Sequence, residues 1–157
     1  MRLIYPGSFD PMTMGHLNLI KRSLNLCDEL IILVAVNSNK TPLIPIEKRL
    51  ELIKKTINNE KITRVRIEAI DGATVDAIDL FDAAAIIRGV RDSNDWCDEY
   101  RLSIMNQGIY AKCETIFIGS QPELLYLSSS YVKELIALRK PIENLVPQIF
   151  YKFLKDQ

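Results

Sequence analysis

Seven apolar residues in unbroken succession, Leu30-Ile31-Ile32-Leu33-Val34-Ala35-Val36, constrain this chain more than any other feature. A strand with one face in water alternates apolar and polar residues, so a run without alternation needs cover on both faces. Shorter runs of the same kind recur, and strands are predicted over 2–5, 30–36, 65–70, 83–87 and 115–118. Between them Leu17, Leu19, Ile20 and Leu24 recur at helical spacing as far as about residue 25, and Leu50, Ile53 and Ile57 do so over 46–57. Further helices are expected over 75–81, from a cap at Asn94 or Asp95 to about 110, over 131–138 behind a serine cap, and from Pro147 onward. Alternating strands and helices imply right-handed crossovers. The expected fold is α/β, a Rossmann-like open sheet of five parallel strands with helices on both faces, with 1–157 as a single domain.

Ligands of such sheets bind beyond the carboxyl ends of the strands, where the strand order reverses. The loops at that edge are therefore those carrying Ser8 to His16, Lys40, Asp71 to Thr74, Arg88 to Arg91, and Ser128 to Ser130. Twenty basic residues balance twenty acidic ones, so any affinity for phosphate must come from local geometry and not from overall charge. His16, the only histidine, follows Gly15 at a helix start, where unpaired N–H groups favour an anion. Thr13 is placed to cap that helix, Asp10 to brace the loop, and Ser8 to donate its hydroxyl to a phosphoryl oxygen or serve as a turn residue. Arg88 and Arg91 are spaced to grip phosphate oxygens, with structural ion pairs as the alternative. The acidic stretch from Asp92 to Glu99 has no fixed metal-ligand spacing, which leaves magnesium to arrive on a nucleotide.

No serine, cysteine or lysine nucleophile is paired with a base, a pattern that points away from covalent catalysis. One histidine and several cations suit direct phosphoryl or nucleotidyl transfer, where positioning and charge stabilisation dominate. Three scattered cysteines without a C-x-x-C pair favour free thiols, and with no leader or membrane-length apolar run the expected location is the cytoplasm.

Tyr5-Pro6-Gly7-Ser8-Phe9-Asp10-Pro11 followed by Thr13-Met14-Gly15-His16 resembles the bacterial phosphopantetheine adenylyltransferases, in the nucleotidyltransferase superfamily defined by H-x-G-H and ISSS/T-type motifs. Lys40-Thr41-Pro42, Ile87-Arg88-Gly89-Val90-Arg91, Met105-Asn106 and Ser128-Ser129-Ser130-Tyr131-Val132-Lys133-Glu134 follow in the family's order. The resemblance implies transfer of AMP from Mg-ATP to 4'-phosphopantetheine, giving dephospho-coenzyme A and pyrophosphate. It implies catalytic roles for His16, Lys40 and Arg88, and acceptor binding by Ser8, Lys40, Thr74 and Arg88. Around ATP it places Ser8, Phe9, His16, Gly89, Val90, Arg91, Glu99, Leu124, Leu125, Tyr126, Leu127, Ser128, Ser129 and Ser130. A homohexamer and feedback by coenzyme A are further implications. The alternatives are a sister enzyme with another phosphorylated acceptor and a non-catalytic module that senses ATP or coenzyme A.

Overall fold

The computed structural model describes residues 1–35 and 41–156; Val36, the expected end of the second strand, and Lys40 lie outside them. Among the described residues five strands, β1 (Arg2–Gly7), β2 (Glu29–Ala35), β3 (Val65–Ile70), β4 (Ala85–Val90) and β5 (Thr115–Gly119), form one sheet. Every pairing is parallel and the order is β3-β2-β1-β4-β5. The helices are α1 (Met14–Ser23), α2 (Ile46–Asn59), α3 (Asp76–Phe81), α4 (Ser93–Ile109), α5 (Ser129–Ala137) and α6 (Gln148–Lys155).

The unbroken apolar run is explained by the two layers it serves. Leu30, Ile32 and Val34 enter a core shared with Leu19 and Ile20 of α1, Ile53 of α2 and Phe150 of α6, while Ile31 and Leu33 enter a second core against Ala77 and Ile78 of α3. Both faces are buried, so neither tolerates a polar residue.

The chain runs outward from β1 through β2 to β3, then returns to the other side of β1 with β4. Pairing between β1 and β4 covers Leu3 with Ala85 and Ile4 with Ile86. Beyond that point β1 continues to Gly7 on β2, and β4 continues to Val90 on β5. The sheet is therefore split at the carboxyl ends of β1 and β4, the crevice this topology provides for ligands.

Some boundaries differ from expectation for identifiable reasons. Arg88, Gly89 and Val90 belong to β4 and not to a following loop, because their ladder to Phe117, Ile118 and Gly119 of β5 persists. Asp92, not Asn94 or Asp95, caps α4: its carboxylate accepts the N–H groups of both, each at 2.9 Å. Helix α1 starts at Met14 under its Thr13 cap and ends at Ser23, and α5 takes Ser128 as its cap, so Ser129 and Ser130 lie within its first turn. A 3₁₀ turn at Pro122–Leu124 was not expected. None of the α4 side chains is buried; Trp96, Tyr100, Ile104 and Met105 are exposed, and Trp96 leans on Phe117 of β5 with ring centroids 4.7 Å apart.

Candidate active site

The split between β1 and β4 opens into a cavity of about 210 Å³ whose lining includes Gly7, Thr13, Gly15, His16, Arg88 and Ser128. One wall is the amino-terminal turn of α1. Its cap is reciprocal: the N–H of His16 donates to Thr13 Oγ1 at 3.3 Å, and the N–H of Thr13 donates to His16 Nδ1 at 2.9 Å. A ring nitrogen that accepts from an amide carries no hydrogen of its own. The hydrogen of the neutral imidazole therefore sits on Nε2, the nitrogen left for the cavity. Burial, reinforced by the Arg91 charge, lowers the His16 pKa from 6.5 to about 4. At neutral pH the side chain is a fixed N–H donor with little capacity as a base.

This assignment predicts a clean titration, because there is no second histidine in the chain. The His16 Cε1–H resonance should move with a midpoint near 4; a midpoint near 6.5 would refute the buried, capped imidazole. The sign of the stability linkage follows. Between pH 4 and 6.5 the unfolded chain binds the proton that the folded chain refuses, so His16 adds stability as pH rises through that window and withdraws it as pH falls.

The opposite wall carries two half-buried arginines, each paired with a carboxylate of α4. Arg88 binds Glu99 in a fork, Nε to Oε2 and Nη2 to Oε1, the latter at 2.6 Å. Its Nη1 has only a long contact, 3.4 Å, to the carbonyl of Pro6. Arg91 binds Asp95 through Nε and Nη2, both at 3.1 Å. Burial opposes ionisation of Asp95, yet the Arg91 bonds hold its carboxyl below its ordinary value. Burial likewise pushes the Tyr5 phenol up, the Arg88 charge pulling the other way. Gly89 between the arginines has a packing reason: a Cβ there would come within 2.9 Å of Leu19 Cδ2, so the Leu19 side chain would have to shift.

Behind the first loop lies a set of buried ionic and polar ties. Asp10 is buried; it accepts the amides of Leu43 at 2.9 Å and Ile44 at 2.8 Å, and the Lys133 ammonium of α5 at 2.5 Å. Arg49 of α2 is buried too, and donates from Nε to Ile44 O at 2.9 Å and from Nη1 to Ser8 O at 2.6 Å. Ser129 Oγ donates to Pro11 O at 2.9 Å. Phe9 sits at φ 48°, and its ring turns inward against Tyr5 and His16 at 5.4 and 5.0 Å.

Of the residues singled out in the sequence, the cavity brings together His16, Arg88, Gly89, Arg91, Glu99, Leu124, Leu127, Ser128 and Ser129. It does not include Phe9, whose side chain is core, or Val90, Leu125, Tyr126 and Ser130. Ser8 is exposed, one residue beyond Gly7 of the lining, and Thr74 lies in the turn after β3, also outside the lining. Lys40 lies outside the described residues. Asn18, Arg22, Asp95 and Ser120 line the cavity without having been singled out as ligand contacts. Arg49 was missed as well, although it falls on the stripe of α2 shared with Leu52, Ile53 and Thr56, where a charge signals a buried task.

The sequence profile of the cytidylyltransferase-like family matches residues 4–135. The chain is 41% identical over 154 residues to a phosphopantetheine adenylyltransferase of Geobacter metallireducens, covering 98% of this chain and 93% of the relative. It is 42% identical over 151 residues to the Geotalea daltonii protein of the same name, covering 96% and 92%. Among solved structures it superposes on the Plasmodium falciparum nicotinic acid mononucleotide adenylyltransferase complexed with NaAD. The TM-score is 0.73 at 17% identity, over 99% of this chain and 94% of that one, a likeness of fold.

Proposed function

The chain belongs to the phosphopantetheine adenylyltransferases of the cytidylyltransferase-like family, and on that premise we propose that it transfers AMP from ATP to 4'-phosphopantetheine, releasing pyrophosphate and dephospho-coenzyme A. It is a nucleotidyltransferase of coenzyme A biosynthesis. An oxygen of the acceptor phosphate attacks the α-phosphorus of ATP in line, and the bond from that phosphorus to the oxygen bridging to the β-phosphate breaks, so the oxygen leaves on pyrophosphate. The attacking phosphate is largely deprotonated at neutral pH, its second pKa lying near 6, so the step needs no general base.

The observation that carries this reading is the His16 imidazole, held neutral with Nδ1 bonded to the Thr13 amide. Such a group suits a reaction that requires a donor and no proton transfer: Nε2–H bonds the α-phosphoryl oxygen as its charge grows, preorganised by the helix start. Arg88 would offer its weakly engaged Nη1 to the acceptor phosphate while Glu99 fixes its plane. Ser8 and Lys40 would complete the acceptor site, with Thr74 along the pantetheine arm. Gly89, Arg91 and the segment from Leu124 to Ser130 would face the nucleotide; Phe9 and Val90 would take part through their backbone.

ATP would enter with its magnesium ion as substrate. Among the described residues no three His, Cys, Asp or Glu side chains group as a metal site. The ion would be held by phosphate oxygens of the nucleotide. The whole chain, 1–157, would act as one domain in the cytoplasm; none of the helices among the described residues is long and apolar enough to cross a membrane. The chain would assemble as a homohexamer, in which subunit contacts could cover the exposed apolar residues of α4, and coenzyme A, which shares the acceptor's arm and the product's nucleotide, would act as a feedback ligand.

Purified protein with Mg-ATP is expected to release pyrophosphate with 4'-phosphopantetheine and not with nicotinamide mononucleotide or glycerol phosphate. Release with one of the others alone would move the chain to a sister activity. ATP binding without turnover on any acceptor would make it a sensor.

A further inference from the structure

The buried guanidinium of Arg49 lies outside the cavity lining and touches none of the reacting groups assigned above to the transfer step. It lies in the amino-terminal part of α2, where a cation opposes the helix dipole. Among the described residues its hydrogen-bond partners are backbone carbonyls and it pairs with no carboxylate, an arrangement that makes a buried charge costly. What it does bond is two carbonyls on separate loops, Ile44 O at 2.9 Å and Ser8 O at 2.6 Å. Asp10 takes the amides of Leu43 and Ile44 at the same junction, so this short segment is gripped through both donors and acceptors. Ser8 itself is exposed, and the next residue, Phe9, has a left-handed backbone at φ 48°. A non-glycine residue in that region persists only when neighbouring bonds over-determine it.

We infer that Arg49 is a positioning residue for the acceptor phosphate: it fixes the carbonyl of Ser8, and with it the backbone position from which the Ser8 hydroxyl is presented, against the segment at Ile44. The inference rests on the acceptor role proposed for Ser8. Lysine at position 49 keeps the charge but lacks the fork that reaches two carbonyls at once.

The test is a double-mutant cycle of Arg49→Lys with Ser8→Ala. It reads kcat and the KM for 4'-phosphopantetheine, with the ATP Kd from calorimetry, well below the melting point of each variant. Arg49→Lys should raise the acceptor KM about tenfold, as expected for a displaced contact. The ATP Kd should stay within about twofold, and in the Ser8→Ala background the effect of Arg49→Lys should shrink to about twofold. Equal losses in both backgrounds, or an ATP Kd that weakens in step with the acceptor KM, would overturn the role of Arg49. A Ser8→Ala enzyme with unchanged acceptor KM would remove the acceptor reading of Ser8 and this inference together. Arg49→Gln carries the same cycle if the lysine variant melts too low. Failure of both to fold would leave Arg49 structural and the inference wrong.

Discussion

Replacing His16 with alanine is expected to lower kcat by about 10²–10³, with ATP affinity within a few-fold, the scale set by loss of one preorganised donor at a developing oxyanion. The imidazole bonds the α-phosphoryl oxygen most strongly when charge accumulates there, so the loss belongs to the transition state and hardly to ground-state binding. Alanine also removes the acceptor for the Thr13 amide and half of the cap of α1, at a cost of about 1 kcal/mol in stability. His16→Gln separates the two effects. Glutamine at this helix position completes a capping box with Thr13, so it should restore stability while its amide, aimed at Thr13, leaves turnover low. Steady-state pyrophosphate release and urea melts on the three proteins check both parts. Unchanged turnover in the alanine variant would remove His16 from the mechanism.

Asp10→Ala should be the most damaging single change to the fold of the site, costing about 2–4 kcal/mol, because it leaves two inward-facing amides without an acceptor. The substitution strands the amides of Leu43 and Ile44, while the Lys133 ammonium, 37% exposed, is taken up by water at little cost. Small domains hold only about 5–15 kcal/mol in total, so the variant should fold in the cold and melt far below the parent. Lys133→Met should be milder, since it leaves a carboxylate that still accepts two amides. A loss below about 1 kcal/mol for Asp10→Ala would mean that water replaces its partners, and that these ties contribute little.

Much of this architecture was readable from the apolar run at Leu30, because lack of alternation has one good physical solution in a chain that also carries amphipathic helices. Thr13 as a cap and Asp10 as a brace were legible from residue type and position, and both hold. Arg88 and Arg91 were less so. Their three-residue spacing suggested a grip on phosphate, but the carboxylates that engage them, Glu99 and Asp95, lie on a helix whose distance from β4 no local pattern encodes. Lys133 illustrates the same limit: it meets Asp10 across 123 positions of sequence. Arg49 could have been found, since it interrupts the buried face of α2. Its partners could not, because they are backbone carbonyls, which every residue possesses.

The central place of β1 bears on how the protein is made. Of the five strands it leaves the ribosome first, yet its two neighbours arrive with Glu29–Ala35 and Ala85–Val90, and the serine wall of the cavity only with Ser129–Ala137. The loop between β1 and α1 must therefore wait, beside its apolar strand, until α5 has emerged. A chain that stops short of α5 would expose β1 to other sticky surfaces and have no partial activity to show for it, so catalytic competence should appear abruptly, once Ser129–Ala137 is in place.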